Sequence, residues 1–193
     1  MIMSDYKKQK SVKPQIEDRI SELVKEDYQL KALDFVGFIR TNKMTPSWAS
    51  LNSWKVNYKG KVLCYIRTAG TAHYHNLDDG SWHIAFAVYS DFVYEVSISD
   101  EAIKMVWDKV RHCTRCANCI PANQLTINGK VFDNVCHQWL VIKNPNAEEL
   151  ACVKKLVEAI RQSISDIDKQ EPSRTLAGAQ QHPIESEHLR SLP

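Results

Sequence analysis

Apolar positions recur at three- and four-residue steps from Gln15 to Asn42: Ile16, Ile20, Leu23 and Val24, then Leu33, Val36 and Ile39. That period predicts two helices. Pro14 and Pro46 bound the stretch, and a break is expected near Glu26 to Gln29. At Trp54 the period changes to two. Trp54, Val56 and Tyr58 alternate with Lys55 and Asn57, Lys59-Gly60 supplies a turn, and Val62, Cys64 and Ile66 mark the return strand. The segment reads as a β-hairpin. A polar loop, 68–81, leads to a further alternation through Trp82, Ile84, Phe86 and Val88, and Phe92 to Ile98 is a candidate fourth strand.

Ser99 followed by Asp100 and Glu101 has the chemistry of a helix start, a capping hydroxyl and then acids beside the positive end of the dipole. The stripe Ala102, Ile103, Val106, Trp107 and Val110 carries that helix to about His112. A cysteine loop, 113–121, follows. Asn128-Gly129 is a type I′ hairpin signal between Ile127 and Val131, and Val135 to Ile142 forms another strand. Asn146 and Glu149 are spaced as a capping pair, and Leu150, Val153, Val157, Ile160 and Ile164 line one face of a last helix. The elements predict an α+β fold: an antiparallel sheet built from hairpins, packed against N-terminal, central and C-terminal helices, with the cysteine loop after the central helix. Residues 15–168 form one domain on this reading, between a flexible basic arm, 1–14, and a disordered tail, 169–193.

Charge refines this picture without adding a partner. The net charge is +2, but four lysines and one aspartate give residues 1–13 a charge of +3, so the remainder sums to −1. A nucleic-acid surface would need cations clustered on one folded face, which this distribution disfavours. No apolar run approaches the roughly 18 residues of a membrane span, and the polar N-terminus lacks a signal-peptide stretch. A cytoplasmic location is expected, where the six cysteines would be reduced.

Four of those six fall between 113 and 136: Cys113-x-x-Cys116-x-x-Cys119, then Cys136. Two-residue spacers let a loop turn successive sulfurs toward one centre, and a remote fourth sulfur ties in another element. A tetrahedral zinc site needs four such ligands. His112 or His137 can replace one of them. The same spacing holds a [4Fe–4S] cluster in bacterial ferredoxins, although there a proline follows the remote cysteine and here His137 does. Buried, metal-free thiols are the third reading, and the natural one for Cys64 and Cys152. On the expected helix, Cys113 would follow a C-terminus, whose negative end disfavours a reactive thiolate. Arg111, Arg115 and Lys130 would offset the charge of a tetrathiolate.

The remaining candidates are weaker. His73-x-His75, with His83 nearby, reads as exposed loop histidines, and Asp78-Asp79-Gly80 as a turn. Trp54, Tyr58, Tyr65, Trp82 and Phe86, with Lys55, Lys59, Lys61 and Arg67, would serve either as core and solvated face or as a pocket for an anionic ligand. Tight packing of Trp54 and Trp82 would favour the former. The chain has no phosphate-binding glycine loop, Gly-x-Ser-x-Gly elbow or His-Glu-x-x-His helix, so no reaction is assigned. The balance favours a binding or regulatory module with a structural zinc, partnered by a small molecule or a protein. A catalytic or ligand-binding protein with an aromatic pocket and an iron–sulfur redox protein are the alternatives.

The motifs YKGKVLCYI, VRHCTRCANC, NGKVFDNVC and NPNAEELACVKKLVEAI resemble those of small uncharacterised cysteine-containing proteins of clostridial-type bacteria. The resemblance implies a cytoplasmic protein with a metal-type cysteine loop and no assigned activity. The element order is similar, more loosely, to YdhG-like α+β domains, which lack the cysteine loop.

Overall fold

A computed structural model describes residues 2–70, 79–87, 97–114 and 122–170. Three helices open the chain: α1 (Ile2–Val12), α2 (Ile16–Leu23) and α3 (Glu26–Thr41). Strands β1 (Thr45–Ser50), β2 (Ser53–Tyr58), β3 (Lys61–Thr68) and β4 (Trp82–Phe86) follow, then α4 (Asp100–Asp108), β5 (Val110–His112), β6 (Ala122–Ile127), β7 (Lys130–Lys143) and α5 (Ala147–Gln170). The strands form one antiparallel sheet in the order β1-β2-β3-β4-β7-β5, with β6 paired to the N-terminal part of β7. The α+β architecture read from the sequence is the one observed.

Alternation sorts the central strands into two faces. Trp54, Ile66, Ile84 and Ile142 lie side by side across β2, β3, β4 and β7. They are buried with Ile16, Ile20, Phe35 and Ile39 from α2 and α3, and with Val153, Val157 and Ile160 from α5. The helical layer therefore covers this face, and burying its apolar stripes is the main driving force for assembly. Both hairpins close on two-residue turns with positive φ at each position: Lys59 and Gly60 at 47° and 77°, Asn128 and Gly129 at 46° and 75°. That is the type I′ requirement, whose twist matches the paired strands.

Several boundaries differ from the sequence reading, each for a tertiary reason. Residues 2–12 are helical rather than a free arm: Gln9 is buried, its Nε2–H donates to Asn52 Oδ1 at 2.7 Å, and its Oε1 accepts from the Asn52 N–H at 3.0 Å. The break between α2 and α3 comes at Val24 and Lys25, where the Lys25 N–H donates to the Gly80 carbonyl at 2.9 Å. Strand β1 was not expected. Its pattern lacks apolar alternation, and Pro46 is tolerated because β1 is an edge strand. The α4 helix stops at Asp108, and Val110 leaves its stripe to pair with Leu140 in β5. The residues from Val131 to Ile142 belong to one bent strand rather than two. Candidate strand residues 88 and 92–96, and tail residues 171–193, lie outside the described residues. Among the described residues no helix is long and apolar enough to cross a membrane.

The last helix starts on the expected capping box: the Glu149 N–H donates to Asn146 Oδ1 at 2.9 Å and the Asn146 N–H to Glu149 Oε2 at 3.0 Å. Lys109, just past α4, reaches Glu149 Oε1 at 2.6 Å. This Lys109 contact, aided by the Asn146 N–H and opposed by partial burial, holds the Glu149 carboxyl below its ordinary value of 4.5. A depressed carboxylate pKa contributes stability above the unfolded value and loses it as pH falls through the folded one. Thermal unfolding followed from pH 7 to 3 should thus show a downward slope below about pH 4.5. Glu149→Gln should have a shallower slope; equal slopes in both proteins would show that the pair contributes nothing.

Candidate metal centre

The cysteine region is organised by β7. At its N-terminal half it pairs with β6 through the Asn128-Gly129 hairpin, and further along it pairs with β5, with His112 opposite Val135 and Val110 opposite Leu140. Three residues of β5, 110–112, thus lie against six of β7, 135–140, so the β7 register is irregular within that span. Just before that span Asn134 has a φ of 52°, a left-handed conformation that asparagine tolerates, while the β6–β7 register runs unbroken across it. Phe132 and Val135 are buried, whereas Asp133 and Asn134 are exposed. Val135 and Cys136, which follow, are both buried.

Cys113 is fastened at this point. Its N–H donates to the Asn134 carbonyl at 2.7 Å, and the Asn134 Nδ2–H donates back to the Cys113 carbonyl at 3.2 Å. Cys113 and Cys136, twenty-three positions apart in the chain, are therefore carried on two antiparallel segments joined by these bonds and by the β5–β7 pairing, and both are buried. Cys116 and Cys119 lie outside the described residues. Among the described residues no three metal-ligating side chains gather. Two of the four sequence-chosen sulfurs thus sit on neighbouring segments.

The substitute ligands differ in standing. His112 is exposed, and its Nδ1 lies 3.0 Å from the Asp133 carbonyl, a bond that would leave Nε2 for a metal. His137 is exposed where Cys136 is buried, so the two side chains leave β7 on opposite sides. It is a poor replacement for Cys136. Two electrostatic expectations also change. Cys113 follows strand β5, five residues past the end of α4, so the helix dipole, which fades within one turn, does not act on it. The sequence argument against a reactive thiolate loses its basis there. Lys130 sits six residues along β7 from Cys136, about 20 Å for extended chain, with its Nζ 4.9 Å and 5.1 Å from the Trp107 and Phe132 ring centroids. It serves those rings rather than the sulfurs.

Asn134 is the residue that reasoning from the sequence missed. The only local signal was its type, since asparagine is among the residues that adopt left-handed backbone; nothing near it in the sequence marks Cys113 as its partner.

Elsewhere, Trp54 and Trp82 are 1% and 0% exposed and pack in the core, which favours the packing reading of the aromatics. Clefts of about 690 Å³ and 370 Å³ lie along α5 beside Ser97–Ser99 and between α1 and Asn52; neither tryptophan lines them. Cys64 is buried in β3, and burial raises its thiol pKa well above the ordinary range, as suits a packing residue. Cys152 is half-buried on α5. Asp79 is exposed in the turn before β4, and His73, His75 and Asp78 lie outside the described residues. His83 is not an exposed loop residue: it is a strand position in β4, 1% exposed. Compared with protein-family models, with curated proteins and with solved structures, the chain matches none.

Proposed function

We propose that the protein is a non-enzymatic binding or regulatory module whose β5–β7 region is held by a structural zinc at Cys113, Cys116, Cys119 and Cys136. The observation that supports this reading is the pair of bonds joining Cys113 to Asn134, which, with the β5–β7 pairing, carries buried Cys113 and Cys136 on neighbouring antiparallel segments. In the sequence Cys113 opens a run of cysteines at two-residue spacing, the spacing with which a zinc would tie such a run to a strand. The ion would cross-link an edge that has little else to hold it, since β5 is three residues long.

Elemental analysis of the purified chain tests this directly. One zinc per chain is the expected result, with no visible absorption after anaerobic purification. Iron together with visible absorption would replace zinc with a thiolate-held cluster. A metal-free chain that folds normally would overturn the reading.

A further inference from the structure

Among residues 4–12 of α1, only Gln9 is buried and only Tyr6 is half-buried, while apolar Val12 is 64% exposed. A helix of 11 residues is marginal by itself in water, so α1 is ordered by what it docks against. The Gln9 carboxamide is read at both ends. Its Nε2–H donates to Asn52 Oδ1 at 2.7 Å, and its Oε1 accepts from the Asn52 N–H at 3.0 Å and from the Trp48 Nε1–H at 3.3 Å. The Tyr6 ring centroid lies 5.9 Å from that of Trp48.

The receiving side is held independently of α1. Asn52 is buried in left-handed backbone, with φ at 49°. Its Nδ2–H donates to the Ala69 carbonyl at 2.8 Å, its own carbonyl accepts from the Thr68 N–H at 3.0 Å, and its Oδ1 also accepts from the Arg19 Nη2–H at 3.2 Å. These bonds come from α2 and the end of β3, so they fix the socket whether or not Gln9 fills it. The cleft of about 370 Å³ beside this joint, lined in part by Gln9 and Asn52, shows that α1 docks by a plug rather than along a sealed apolar seam.

The connector is strained. α1 ends at Val12 and α2 begins at Ile16. Between them Lys13 has a φ of 46°, left-handed backbone that a side chain disfavours, and it precedes Pro14, whose ring pushes the residue before it toward extended backbone. Folding α1 back onto its own chain requires that turn. An extended Lys13 would instead carry the helix away toward the socket of a neighbour, and short hinges under strain promote such exchange.

We propose that α1 is an exchangeable docking element: two copies of this chain dimerise by each seating its Gln9 in the other's Asn52–Trp48 socket. The exchange is reciprocal, so it closes as a two-fold dimer with both sockets filled. At the socket the dimer makes the same contacts as the monomer. Hinge strain and the cost of association therefore set the balance. A short connector gives a helix an effective concentration on the order of millimolar at its own socket, so the dimer should grow as the protein approaches that concentration.

The test follows the full chain by size-exclusion chromatography with light scattering, loaded from micromolar to millimolar concentration. A dimer fraction that rises with concentration is expected. Lys13→Gly keeps the left-handed turn without steric cost, and since each dimer relieves two hinges it should weaken dimerisation by about tenfold or more. Gln9→Ala, which undocks α1 from either socket, should leave the chain monomeric. A benzophenone side chain in place of Tyr6 identifies the contact: in dimers formed from isotopically light and heavy chains, its cross-links to the Trp48 strand should join unlike chains. A monomer at every concentration, a dimer whose cross-links all stay within one chain, or a dimer that Lys13→Gly leaves equally strong would overturn the inference. Metal content enters none of these results.

Discussion

Cys136→Ser is expected to strip the chain of zinc and to loosen β5, β6 and β7 while β1 to β4 remain folded. The magnitudes make this the largest effect of any single substitution. A structural zinc contributes about 10–16 kcal/mol of apparent binding free energy, whereas a whole domain is stable by about 5–15 kcal/mol. Serine preserves the size of the side chain but offers an alcohol where zinc needs a thiolate. The consequences should be local because the region has few other supports. β5 has three residues, and among the described residues β6 pairs only with β7. The bonds joining Cys113 to Asn134 fasten the loop's start, yet short strands are marginal alone. Hydrogen exchange by segment, with metal analysis alongside, reads both effects. Zinc that stays at one per chain in Cys136→Ser would remove this residue from the ligand set. Uniform exchange across the sheet would deny the metal its local role.

The second large effect is expected at Trp82. Its indole is 0% exposed on a central strand, 6.3 Å from the Phe35 ring in α3. Trp82→Ala should cost about 3–5 kcal/mol, the transfer of a large side chain plus the cavity left behind. For a chain of this length that lowers Tm by roughly 10–15 °C. Trp82→Phe should be far milder. Among the described residues the indole N–H has no hydrogen-bond partner, and removing an unsatisfied buried donor offsets part of the lost contact. Thermal unfolding of both variants checks the pair. A Trp82→Ala protein within about 2 °C of wild type would mean that the ring is a pocket wall, not a core residue.

These two residues show why legibility differs across the chain. Trp82 belongs to an alternation that any half-buried strand must show, so its strand and its burial follow from the local pattern alone. The same holds for the Lys59-Gly60 and Asn128-Gly129 turns, where left-handed backbone needs particular residues, and for the Asn146–Glu149 box, where the side chains satisfy orphan N–H groups. The candidate site was legible only as composition. Spacing marks the sulfurs that can converge, but the segments of Cys113 and Cys136 are joined through the bonds to Asn134 and a three-residue strand that the α4 stripe had hidden.

The chain by itself therefore determined the α+β class, the two hairpins, the last helix and the clustering of thiols, because each depends on neighbours within a few residues. Tertiary structure alone decided that residues 2–12 dock through Gln9, that β1 joins an edge, that α4 yields to β5, and that Arg67 and His83 share a row. Those outcomes depend on backbone groups finding partners far along the chain. A buried N–H or carbonyl must be paired wherever a partner can be found, and no local pattern records which distant segment will supply it.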